Sequence, residues 1–95
     1  MATTQVELVT PSAILWSGQA EMVVCWVVEG EIAFLADHAP YLGALSAGTV
    51  RILTEGGGEE RFDIGGGFVE VHDNRVILLA DTAEAGAAGG AARTA

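Results

Sequence analysis

Hydrophobic positions in this chain recur at short spacing, with glycine, proline, asparagine and aspartate between the runs. Val50 and Ile52 alternate with Arg51 and Leu53; Phe62 and Ile64 alternate with Arg61 and Asp63. Val69 and Val71 alternate with Glu70 and His72 in the same way. A two-residue period sends successive side chains to opposite faces of a strand, so these segments predict strands with one solvated face. Strands are expected near residues 5–9, 14–16, 20–28, 32–35, 49–54, 60–64, 68–71 and 76–80. Pro11 interrupts the first pair, and Ser17-Gly18 predicts a turn into the long third strand. Residues 55–59 form a glycine-rich hairpin loop. Asp73-Asn74 makes a second, tighter turn from residues that tolerate the left-handed conformation. Such a rhythm of short strands predicts an all-β sandwich or barrel.

After Ala80 the alternation dissolves. Residues 81–85 suggest one frayed helical turn, and 86–95 are glycine and alanine with one arginine and one threonine. Nothing there has an apolar stripe to bury, which predicts a disordered tail. The expected organisation is one β domain over 1–83 and a low-complexity tail over 84–95, with no internal repeat. A chain of 95 residues has room for one domain, and its 51% hydrophobic content is enough for a core.

Charge narrows the partners. Thirteen acids face four arginines and no lysine, for a formal net charge of −9. That surface repels phosphate backbones and anionic headgroups, which argues against nucleic-acid binding and direct lipid insertion. Basic protein surfaces are the expected partners. The longest apolar run, residues 22–28, is far short of the ~20 residues that span a bilayer. Residues 1–5 lack the basic and apolar regions of a secretory signal, so a soluble protein is expected. Cys25, the single cysteine, sits between Val24 and Trp26 and reads as a buried, inert thiol.

Candidate chemistry begins with Asp37-His38, joined by the distant His72 and by Glu31 in a reading of proton transfer or metal binding. Their spacing fits no metal or nucleophile motif. Asp37 reads better as a turn residue and His38 as a contact or packing residue. Gly65-Gly66-Gly67 lacks the lysine and the following helix of a phosphate loop; a sharp bend or close backbone approach accounts for it. A lipoyl or biotinyl carrier is excluded by the absence of lysine. Among the aromatic residues, Trp26 and Phe68 lie on strands apolar on both faces, which must be covered by the domain itself or by a partner. No catalytic residue, metal or cofactor is expected.

The order of motifs resembles the N-terminal β-sandwich domain of the epsilon subunit of F-type ATP synthases, from about residue 5 to 83. Val6-Glu7-Leu8-Val9-Thr10-Pro11 with Trp16-Ser17-Gly18 matches its opening. Glu29-Gly30-Glu31-Ile32-Ala33-Phe34-Leu35 with Asp37-His38-Ala39-Pro40 is its most specific stretch. Leu45, Ala47-Gly48-Thr49-Val50-Arg51-Ile52, Gly66-Gly67-Phe68-Val69-Glu70-Val71 and the segment 74–83 complete it. The resemblance implies a flattened antiparallel β-sandwich of about eight to ten short strands, and a non-catalytic rotor subunit in the central stalk. It implies binding to the gamma subunit and to the membrane rotor ring, so that proton flow and ATP synthesis stay coupled. It places the protein peripherally at the cytoplasmic face of a bacterial plasma membrane. Glu31, Asp37 and His38 are the expected ring-facing residues, and Trp26 and Phe68 the expected gamma-facing ones. His38 is expected to donate hydrogen bonds to the ring. Ala36 stands where the family usually has proline. The family's C-terminal helical pair has no counterpart in residues 84–95, which implies no helix-based inhibitory switch and no ATP site. The rival readings are a stand-alone acidic β-sandwich binding module and, less well supported, a small metal-dependent enzyme built on Asp37, His38 and His72.

Overall fold

Val, Ile and Leu at alternate positions make strands because each strand buries one row of branched side chains and leaves the other outside. The computed structural model describes residues 2–86 and shows ten strands. They are β1 (Thr4–Thr10), β2 (Ala13–Ala20), β3 (Met22–Val27), β4 (Gly30–Leu35), β5 (Tyr41–Leu45), β6 (Gly48–Leu53), β7 (Glu59–Ile64), β8 (Gly67–His72), β9 (Arg75–Ala80) and β10 (Ala83–Ala85). Their order is β10-β7-β6-β3-β5-β8-β9-β1-β2, with β4 on β3. All pairs are antiparallel except β1 with β9.

The sheet folds over at β3. Residues Met22 to Val24 of β3 pair with β6, whereas only Val27 pairs with β5, opposite Leu45. This single bridge divides the strands into two layers, β4-β3-β6-β7-β10 and β5-β8-β9-β1-β2. Their inner faces interleave Val23, Cys25, Phe34, Val50 and Ile52 with Val6, Leu8, Val69, Val71 and Leu78, all buried. The expected β-sandwich is the observed fold.

Three local expectations are corrected. Ser17-Gly18 is no turn: β2 continues through it to Ala20 and the chain breaks at Glu21 instead. Tyr41–Leu45, outside every expected strand, is β5 and lies between β3 and β8. Ala83–Ala85 is a strand on β7 rather than a helical turn, with Ala85 opposite Phe62. The disordered tail falls mostly on residues 87–95, which lie outside the described residues. The Asp73-Asn74 turn is as expected, with φ of 50° and 57° between the paired His72 and Arg75. Gly66 and Gly67 take φ of 110° and 140°, which is the bend and close approach that the glycine triplet predicted.

Candidate partner-binding surfaces

Glu31 sits one residue into β4, just after a hairpin in which Val27 pairs with Gly30. Gly30 takes φ 133°, a conformation L side chains rarely adopt, and so allows the tight Val28-Glu29 connection. Directly opposite Glu31 on β3 is Trp26, so the two side chains share one outer face. Trp26 is 43% exposed and lies over Gly48, where a Cβ would come within 3.0 Å of its ring. Beside them an open cleft of about 640 Å³ is lined by Val28, Glu31, Ile32, Tyr41 and Leu42. Glu31 and Trp26, expected on different partner surfaces, are neighbours.

At the other end of β4 the chain turns through Ala36 and Asp37. The His38 N–H donates to the Leu35 carbonyl at 3.2 Å, and Asp37 takes φ 60°. Positive φ at the third residue of such a turn suits Asn, Asp or Gly, and proline suits the second position, where Ala36 stands. His38 is fixed from two sides. Its Nδ1 donates to the Ala39 carbonyl at 2.6 Å, since a carbonyl only accepts. Its ring meets the buried Phe34 edge-on, with centroids 4.9 Å apart. The proton on Nδ1 leaves Nε2 of the neutral ring as an acceptor, so neutral His38 has no ring donor left for a partner. The expected donation to a partner therefore needs the imidazolium form.

Glu31 and His38 do not form one loop. Four residue steps of extended chain run from Glu31 to Leu35, roughly 13 Å at the rise of a strand. They mark the two ends of β4, and among the described residues β4 pairs only with β3. His72 is not brought to Asp37 or His38 as a metal ligand. Its ring nitrogens face Asp73 at 3.1 Å and Glu70 at 3.4 Å. Among the described residues no group of three His, Cys, Asp or Glu side chains is arranged to hold a metal.

Phe68 belongs to a different surface. It is paired with Ala44 on β5 and Leu79 on β9, and Leu79 is in register with Val9, which faces Ile14. Residues in register share a face, so these five form one apolar row across the outer side of the second layer. Phe68, Leu79 and Ile14 are 57%, 46% and 67% exposed. A shallow groove of about 230 Å³ runs between Val9, Pro11, Phe68 and Leu79. Sequence reasoning found Phe68 alone; the signal for Leu79 was present in residues 76–79, which are apolar on both faces of one strand.

Cys25 is at 0% exposure in the core, and burial pushes its thiol up to about 12. The thiolate is the reactive form, so native protein at pH 8 is expected to react with a disulfide reagent only as fast as it unfolds. Stoichiometric reaction within seconds under native conditions would contradict the buried position.

Residues 3–86 match the family described as ATP synthase, Delta/Epsilon chain, beta-sandwich domain. An ATP synthase epsilon chain of Brevibacillus brevis is 44% identical over 84 residues, which cover 88% of this chain and 64% of the relative. A sodium-ion-specific ATP synthase epsilon chain of Propionigenium modestum is 39% identical over 83 residues, covering 87% of this chain and 60% of the relative. The present chain thus spans somewhat less than two thirds of the length of these relatives. In fold it is similar to a chain in the cryo-EM structure of the Euglena gracilis mitochondrial ATP synthase, described as OSCP/F1/c-ring, with TM-score 0.84 and 24% identity over 90% of this chain and 54% of that one. No helix among the described residues is long and apolar enough to cross a membrane. With the family profile covering nearly the whole sandwich, the chain belongs to the ATP synthase Delta/Epsilon chain β-sandwich family.

Proposed function

We propose that this chain is a non-catalytic central-stalk subunit of an ATP synthase, holding the gamma subunit on one surface and the membrane rotor ring on another. The observation that carries this reading is the division of its outer surface. One side is the exposed edge strand β4, with Glu31 at one end and Asp37-His38 at the other. The other is the apolar row of Phe68, Leu79, Val9 and Ile14. The polar groups at the two ends of β4, set among the exposed apolar Trp26, Val28 and Leu35, suit the loops of a ring, where Glu31 would pair with basic loop residues and imidazolium His38 with carboxylates. Repeated copies of one loop would meet the two ends of β4 in succession. The apolar row suits a long-lived contact with gamma, because exposed contiguous apolar surface marks a binding site. Trp26 is then part of the Glu31 rim, and Phe68 carries the gamma surface. Bound in this way, the subunit would sit peripherally at the cytoplasmic face of a bacterial plasma membrane and keep ion flow and ATP synthesis coupled. The sandwich does not name the driving ion: the sodium-specific relative shares it at 39% identity.

The test is Glu31→Ala with His38→Ala in the assembled enzyme. Attachment to the ring is expected to weaken by about tenfold or more, as two exposed polar contacts are lost. ATP-driven ion pumping should fall while ATP hydrolysis continues, and circular dichroism of the isolated domain should not change. Pumping at the unsubstituted level would refute the ring assignment. Loss of folding would show both residues to be structural.

A further inference from the structure

Asn74 is a turn residue by sequence, yet its side chain reaches two segments far from the turn. We infer that Asn74 is the positioning residue of the Asp37-His38 loop, tying it to the β1–β9 strand pair. The inference rests on the reading of that loop as ring-facing.

The amide of Asn74 is used at both ends. Its Oδ1 accepts the Asp37 N–H at 2.8 Å, and its Nδ2 donates to the Thr3 carbonyl at 2.9 Å. Both partners are backbone groups of fixed polarity, so only one orientation of the amide satisfies them. The main-chain carbonyl of Asn74 accepts twice more, from the Thr4 hydroxyl at 2.7 Å and the Gln5 N–H at 3.2 Å. Thr4 is the one buried polar side chain among the described residues. One residue thus joins the β8–β9 turn, the start of β1 and the β4–β5 loop.

The loop has few bonds of its own. Besides the 3.2 Å His38–Leu35 bond, the His38–Ala39 contact is internal to it. The Asn74 bond is its hydrogen bond to the second layer. Without it the exposed Asp37 N–H would turn to water, and the loop would gain conformations rather than the domain unfold. The consequence is mechanical. Through Asn74 the His38 loop moves with β1 and β9, which carry Val9 and Leu79 of the apolar row. A stalk subunit that holds one partner at each surface needs such a tie, because slack between them would be lost rotation.

Few residues can replace Asn74. Its φ of 57° admits glycine, which has no amide. Aspartate tolerates the same backbone and still accepts from Asp37, but cannot donate to Thr3. The experiment measures hydrogen exchange of the Asp37 amide by NMR and binding to the purified rotor ring in detergent. It compares the unsubstituted chain, Asn74→Gly, Asn74→Asp and Glu31→Ala with His38→Ala. Asn74→Gly is expected to speed Asp37 exchange by about five- to tenfold, the equivalent of one hydrogen bond, and to weaken ring binding by a similar factor. Asn74→Asp should stay within about threefold of the unsubstituted chain in both. Core amides such as Val6 and Leu78 should keep their protection. Unchanged Asp37 exchange in Asn74→Gly would overturn the tie. Faster exchange with unchanged ring binding, while the Glu31/His38 variant binds weakly, would overturn positioning alone. Full ring binding by the Glu31/His38 variant would overturn the ring reading, and the inference with it. Should Asn74→Gly fail to fold, the through-hydrogen-bond coupling between the Asp37 nitrogen and the Asn74 side-chain carbonyl carbon reads the bond in the unsubstituted chain. Its absence would overturn the tie.

Discussion

Alanine in place of Gly67 is expected to destabilise the domain by about 3–5 kcal/mol, a large part of the ~5–15 kcal/mol that holds a small domain together. Gly67 opens β8 and is paired on both sides, with Leu45 of β5 and Ala80 of β9. Two separate costs meet there. Its φ of 140° lies where an L residue is strained, by about 1–3 kcal/mol. A Cβ would also overlap the Leu79 carbonyl oxygen and stand 2.9 Å from the Ala80 Cα, and neither backbone group can rotate away. Forcing β8 and β9 apart adds about 1–3 kcal/mol more and disturbs the row that carries Phe68 and Leu79. Gly57 provides the control. Its φ is 87°, but a Cβ there would meet nothing within 4 Å, so Gly57→Ala carries the strain alone, about 1–2 kcal/mol. Urea denaturation of both variants separates the terms. Equal losses at the two positions would mean that the close approach at Gly67 is relieved without cost.

That glycine was legible in the sequence; two others were not. Ser17-Gly18 looked like a turn and Tyr41-Leu42-Gly43 fell outside the expected strands; glycine weakens a strand and often ends one. In the folded chain both lie within strands, covered by an aromatic ring from two residues earlier on the same face. A Cβ on Gly18 would come within 3.1 Å of the Trp16 ring, and one on Gly43 within 2.6 Å of the Tyr41 hydroxyl. The ring supplies the packing that the glycine lacks, as aromatic rescue does in designed sheets. The spacing aromatic-x-Gly was therefore a readable signal for β2 and β5. The signal for β10 was absent. Ala83-Glu84-Ala85 has no β preference, and it is a strand because the edge of β7 stands beside it. The parallel β1–β9 pair was equally invisible, since it joins residues 70 positions apart.

At the surface, residue type was readable and position was not. Alternation placed Val69 and Val71 inside, and it flagged Phe68 and Trp26 as needing cover. It could not say that Trp26 lies beside Glu31 while Phe68 lies beside Leu79, since that depends on cross-strand register. The strand expected over 32–35 already set Glu31 apart from His38; the family resemblance grouped them on one ring-facing surface, and the register shows how far apart they stand. Asn74 was legible only as a turn former, because the bonds of its amide run to residues 37 and 71 positions away.

If the proposed contact with gamma is made through Phe68, a charge there is expected to lower that affinity by about a hundredfold or more, whichever sign it carries. The expectation follows from what the row at Phe68 is made of. Its in-register neighbours Ala44, Leu79, Val9 and Ile14 offer no polar group to pair with a buried charge; Thr10 and Asp81 line the same groove, and Asp81 gives Arg, but not Asp, one partner that softens its loss. Closing an interface over Phe68→Asp removes about 1.5–3 kcal/mol of apolar burial and adds the cost of an unpaired ion. The isolated domain should hardly notice, because Phe68 is 57% exposed in it. Comparing Phe68→Asp with Phe68→Arg decides between two kinds of interface. The chain carries a formal net charge of −9, so a contact governed by attraction to a basic partner would gain from Asp and lose from Arg. An apolar contact loses from both. Leu35→Asp is the control, since Leu35 is 54% exposed but lies on β4, in the other layer. Calorimetric titration with gamma at low and moderate salt gives all these affinities. Retained binding by Phe68→Asp together with weak binding by Leu35→Asp would move the gamma surface to the β4 layer.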